Sequence, residues 1–221
     1  MHYISTLAAV LFATSPVAAE PSFQELTENL YARFEGQQAV LLVHVNWGRY
    51  WGCGDYENAQ LQKLTFSRRS GVNGRATTRS FTLVPSTTLF VHDEFIQYAY
   101  LIEPGTYALT GYDVRVARST SEVGHYVSGK TLDSNGGKPS GGRFTANLGE
   151  AVYIGHFGLD CVQQPIPWRY YVEGQANFDR YVDRFHQQFP YAKDLPVRYG
   201  LLETSLFGTP YSLGTPEENA E

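Results

Sequence analysis

Hydrophobic residues recur at spacings of three and four in two stretches of this chain, and at every second position through most of the rest. The first helical stretch runs from Ser22 to Gly36. Phe23, Leu26, Leu30 and Phe34 fall on one stripe, Ser22 and Glu25 have the spacing of a capping box, and Gly36 supplies the stop. The second covers Asn177 to Phe189, where Phe178, Tyr181, Val182, Phe185 and Phe189 share a stripe and Pro190 follows. Each helix is expected to lay its apolar side on the body of the fold.

Between them the period is that of strands. Ala39 to Trp47 is apolar and β-branched enough to be buried on both faces, with Val43, Val45 and Trp47 on one side and Leu42, His44 and Asn46 on the other. Leu61 to Phe66, Phe81 to Val84 and Thr87 to Val91 are shorter candidates. Phe95 to Ile102 and Tyr107 to Ala117 flank the turn residues Glu103, Pro104 and Gly105. Arg143 to Leu148 alternates polar with apolar, and a turn at Gly149 leads to Ala151 to Phe157, a pair that reads as a hairpin. Trp168 to Glu173 and Val197 to Glu203 complete the set. Thr131 to Gly142, rich in glycine and serine, is expected to be a mobile loop, and Ser67 to Ser80, which carries Arg68, Arg69, Arg75 and Arg79, a solvated one. Many short strands with helices only near the two ends predict a mainly β fold: an antiparallel β-sandwich, of jelly-roll or immunoglobulin/transthyretin-like type, with a short N-terminal helix and one C-terminal amphipathic helix.

The N-terminus changes the picture by adding a destination. An uncharged apolar run from Ile4 to Ala13 is followed by Pro16 and by Val17, Ala18 and Ala19, the small-residue pattern of a signal peptidase site. Residues 1–19 are read as a signal peptide, residues 20–213 as one domain and residues 214–221 as a flexible tail. A periplasmic or secreted location follows, and no later run has the length and apolarity of a transmembrane helix. The formal net charge of −5 argues against nucleic acid, which is recognised by clustered Lys and Arg.

In an exported chain two cysteines usually pair, so Cys53 and Cys161 are expected to form one internal disulfide. The bridge gathers the candidate chemistry. Trp47, Tyr50 and Trp51 lie by Cys53, while Trp168 and Tyr170 follow Cys161; together they have the make-up of a ring-stacking surface for sugars or a protein partner, or of a sandwich core beside a disulfide. Asp55, Glu57, His156 and Asp160 are a possible ligand set for a divalent metal or an acid–base pair, or else turn caps and a locally bonded histidine. His44, inside an apolar strand, reads as a core residue. No catalytic motif is present and no cofactor is implied.

At Ile102-Glu-Pro-Gly-Thr-Tyr-Ala-Leu109 and Leu148-Gly-Glu-Ala-Val-Tyr-Ile-Gly155 the chain resembles uncharacterised bacterial exported and lipoprotein-like β-sandwich domains, and the first turn is similar to that of carboxypeptidase-regulatory and transthyretin-like sandwiches. The resemblance implies a fold and an envelope location and no activity. Three readings of function stand: non-enzymatic binding of an envelope protein or other envelope component, glycan or small-ligand binding through the aromatic surface, and metal-dependent hydrolysis.

Overall fold

The computed structural model describes residues 23–34, 36–70, 75–86, 94–128, 132 and 140–214, with the backbone alone at 70 and 75–78. The expected signal peptide, the strand expected at Thr87–Val91, most of the segment Thr131–Gly142 expected to be a loop and all but the first residue of the expected tail lie outside these residues. The described chain is a β-sandwich of two six-stranded sheets with two α-helices.

The first sheet has the order β1 (Phe23–Glu25), β6 (Phe95–Ile102), β2 (Ala39–Asn46), β10 (Ala151–Asp160), β11 (Ile166–Tyr170), with β12 (Val197–Tyr199) also on β10. The second has the order β3 (Arg49–Cys53), β4 (Tyr56–Ser70), β7 (Gly105–Ala117), β8 (Val123–Val127), with β5 (Arg75–Leu83) on β4 and β9 (Arg143–Ala146) on β7. Pairing is antiparallel except that β10 runs parallel to both β2 and β12.

Helices α1 (Glu28–Phe34) and α2 (Gln175–Gln188) cover the outer face of the first sheet, which therefore becomes the middle layer of three. This is the physical reason for the unbroken apolar run in β2. Leu41, Val43 and Val45 pack inward against Leu61, Leu64, Phe66 and Val114 of the second sheet. Val40 and Leu42 pack outward with Tyr153 against Phe178, Tyr181 and Phe185 of α2. The second sheet has one dry face, and its strands alternate accordingly.

Four expectations are revised. Phe23–Glu25 is a strand, so no helix starts at Ser22. The Phe23 ring stacks on Phe81 at 4.5 Å and on Tyr100 at 4.2 Å, and that packing with ladder bonds to β6 outweighs one turn of capped helix. Helix α1 begins after Thr27, whose hydroxyl accepts from the Leu30 amide at 3.4 Å. The arginine-rich segment Ser67–Ser80 is largely strand. Arg68 donates from Nη1 to Glu103 and from Nη2 to the Pro104 carbonyl, both at 2.7 Å, and Arg79 donates to the same carboxylate. The predicted hairpin of β9 with β10 is a corner between sheets: β9 pairs with β7, while β10 pairs with β2, β11 and β12. The alternating β9 suits a one-sided sheet and the continuous apolar β10 a two-sided one. The last strand is only Val197–Tyr199, with Glu203 making a single bridge to Arg143.

Candidate functional site

Cys53 and Cys161 are bonded at a Cα–Cα distance of 4.4 Å, tying β3 of one sheet to the end of β10 in the other. The bridge does bring residues from its two sides together. Tyr50 and Tyr170 meet over Gly158, where a Cβ atom would stand 2.7 Å from Tyr50 Oη and 3.2 Å from Tyr170 Cε2. Phe95 lies edge-on to Tyr170 at 5.9 Å, and Tyr170 Oη donates to the Leu159 carbonyl at 3.0 Å. Trp168, two residues before Tyr170 on β11, is half-buried. The other candidates do not join them. Trp47 is buried in the core and donates from Nε1 to Tyr98 Oη at 2.8 Å. Trp51 is 64% exposed and stands beneath the Arg49 guanidinium at 5.5 Å; as Tyr50's neighbour in a strand it projects to the opposite face.

The four candidate metal ligands are dispersed. Asp55 and Glu57 are exposed in and after the β3–β4 turn, and Asp160 accepts from the Val162 amide at 2.9 Å. His156 and Asp160 share a face of β10, but four residues of strand separate them by about 13 Å. His156 instead stacks on His44, its register partner on β2, with ring centroids 4.3 Å apart and an interplanar angle of 7°. The in-plane nitrogen lone pairs of nearly parallel, stacked rings lie in two separate planes, so this pair does not converge on one ion. Among the described residues no group of three or more His, Cys, Asp or Glu side chains is placed to hold a metal. Burial under α2 holds both imidazoles neutral: His44 is pushed down to about 4, against a hydrogen bond to Gln97 that opposes the shift, and His156 to about 3, with His44 and Arg184 adding to the burial. The Nε2 atoms of both rings and the Tyr181 hydroxyl are buried without hydrogen-bond partners.

Pattern reading missed Arg169. On β11 it pairs with Phe157, whose side chain is in the inter-sheet core, so Arg169 also projects inward and is only 1% exposed. Two glycines give it room. Gly155 sits at a bulge in β10 with φ +114°, and a Cβ there would be 2.7 Å from Arg169 Cδ. Gly208 belongs to the irregular C-terminal segment that overlies the arginine, and a Cβ at this position would meet Arg169 Nε at 3.1 Å. That segment bonds along the strand ends: the Gly200 and Leu202 amides donate to the Tyr153 and Ile154 carbonyls at 3.0 Å, and the Arg169 amide donates to the Phe207 carbonyl at 2.5 Å.

The Arg169 guanidinium donates from Nη2 to the Thr209 carbonyl at 2.5 Å and lies over the Tyr171 ring at 5.4 Å, but among the described residues its Nε and Nη1 have no acceptor and no carboxylate pairs with it. Burial lowers its pKa, while Tyr199, Tyr153 and Tyr171 act in the opposite sense. Beside it is a cavity of about 690 Å³ whose lining includes Arg169, Arg198, Tyr199, Leu201, Tyr211 and Leu213. The other charges there are already matched. Arg198 donates from Nε to Glu150 at 2.8 Å and from Nη2 to the Thr145 carbonyl at 2.5 Å, and Glu203 is paired with Arg143 at 3.2 Å. The sequence carries no pattern for this site, because a single Arg between Trp168 and Tyr170 acquires meaning only from the register that turns it inward. A second unforeseen pair, His125 Nδ1 with Asp113 Oδ1 at 2.7 Å, lies on exposed β8 and its neighbour β7.

Compared with protein-family models, with curated proteins and with solved structures, the chain finds no match in any of the three.

Proposed function

We propose that this chain is an exported binding protein that takes an organic anion into the cavity beside Arg169. One observation carries the reading: a buried guanidinium with two of its three nitrogens lacking an acceptor among the described residues, at the wall of a cavity of about 690 Å³. A buried unpaired charge costs several kcal/mol, and a bound anion would offset that cost with charge-assisted hydrogen bonds. The cavity volume falls in the range of small-molecule sites, about 300–1,000 Å³. The apolar N-terminal run and the Cys53–Cys161 bridge support export into an oxidising compartment.

The face at Tyr50, Phe95 and Tyr170 supports glycan binding less well, since Tyr50 and Tyr170 pack down on Gly158. Titration calorimetry of the purified protein with small carboxylates and inorganic phosphate tests the proposal. At least one of these anions is expected to bind, and Arg169→Met is expected to remove that binding. Anion binding unchanged in Arg169→Met would exclude the site.

A further inference from the structure

We infer that the ligand of the Arg169 cavity is an amphipathic monocarboxylate, a molecule with one carboxylate head and an apolar or aromatic body. The inference rests on the reading of that cavity as an anion site and adds the class of anion.

The head follows from a charge count. Three charged side chains line the cavity. Arg198 is held by Glu150 and the Thr145 carbonyl, Glu203 is paired with Arg143, and among the described residues only Arg169 lacks a counter-charge. One free positive charge in a buried setting matches one negative charge. A phosphate dianion or a dicarboxylate would bring a second charge for which no free cation is present among the described lining residues, and leaving it unmatched is costly.

The body follows from the apolar part of the wall, which also carries Thr204, Ser205 and Ser212. Tyr199, Tyr211, Leu201 and Leu213 present rings and branched aliphatic groups, and the guanidinium is itself flanked by the Tyr171 ring. Such a lining favours an apolar chain or ring over a hydrated sugar or a small inorganic ion.

The way in is through the C-terminal segment. Arg169 Nε and Nη1 are enclosed, with Gly208 packed against the side chain and Nη2 held by the Thr209 carbonyl. A carboxylate is the stronger acceptor for a guanidinium than a neutral carbonyl, so the head group takes the place of Thr209 as this segment shifts.

The test is a calorimetric series on the whole purified protein: octanoate and 3-phenylpropanoate, their neutral counterparts octanol and 3-phenylpropanol, and succinate and inorganic phosphate. The monocarboxylates are expected to bind one to one, with each neutral alcohol weaker by about tenfold to a hundredfold, as loss of a charged hydrogen bond implies. In Arg169→Gln the carboxylate and alcohol should bind equally weakly. Should that variant not fold, Ser212→Trp, placed on an exposed residue of the cavity lining, is expected to weaken both monocarboxylates, and undiminished binding in it overturns the inference. Tighter Arg169-dependent binding of phosphate or succinate than of either monocarboxylate overturns the class and leaves the anion site standing. Alcohols binding as well as acids, or no binding by any probe, overturns both.

Discussion

At the scale of single residues, environment decides what each polar side chain can do. His44 and His156 are ordinary imidazoles placed face to face under α2, with Phe95 and Gln97 of β6, Tyr153 of β10, and Tyr181 and Arg184 of α2 as their surroundings and no carboxylate beside them among the described residues. Their folded-state values, about 4 and about 3, lie below the unfolded value, so the unfolded chain binds protons first as pH falls. The stability they permit is therefore complete above about pH 6.5 and is lost progressively toward pH 3–4, with a slope of up to about 1.4 kcal/mol per pH unit for each histidine. Urea midpoints measured from pH 7 to pH 4 should show this fall, and His44→Gln with His156→Gln should flatten it; an unchanged slope in the double variant would assign the acid sensitivity to other groups. Arg169 shows the same dependence on setting. Exposed on a strand it would be a solubilising charge, and turned inward it becomes a buried donor set.

Among the elements, α2 shows most directly how stripe and partner fit. Its apolar stripe was legible because Phe178, Tyr181 and Phe185 recur at helical spacing, and their partners Val40, Leu42 and Tyr153 are the outward residues of strands buried on both faces. Phe185 is fully buried. Phe185→Ala is expected to cost about 3–5 kcal/mol, read as a lower urea midpoint, because the cavity left between helix and sheet is lined by rigid strands that close it only in part. A cost under about 1 kcal/mol would mean that α2 is loosely attached. Elements were less legible where local pattern competed with long-range pairing. Phe23 fits a helical stripe as well as a strand, and only the Phe81 and Tyr100 rings, far along the chain, decide for the strand. Gly149 signals a turn, but a turn signal does not say whether the two strands stay in one sheet.

For the whole molecule, the disulfide closes a loop of 108 residues in sequence separation and links the two sheets. Replacing both cysteines with serine is expected to lower stability by about 2–5 kcal/mol while the sandwich core, which the bridge borders, persists. Thiol titration of the unreduced, denatured protein should find no free cysteine, and two free thiols would sink the assignment. The sequence by itself determined the mainly β class, the two-faced burial of β2, the amphipathic α2 and the pairing of the only two cysteines, because each depends on local period or on composition. Tertiary structure alone decided which sheet each strand joins, that Tyr50 meets Tyr170 while His156 meets His44 instead of Asp160, and that Arg169 faces inward beside a cavity. Those outcomes depend on register between segments distant in the chain. A shift of one residue in that register exchanges the two faces of a strand, and no local pattern encodes it.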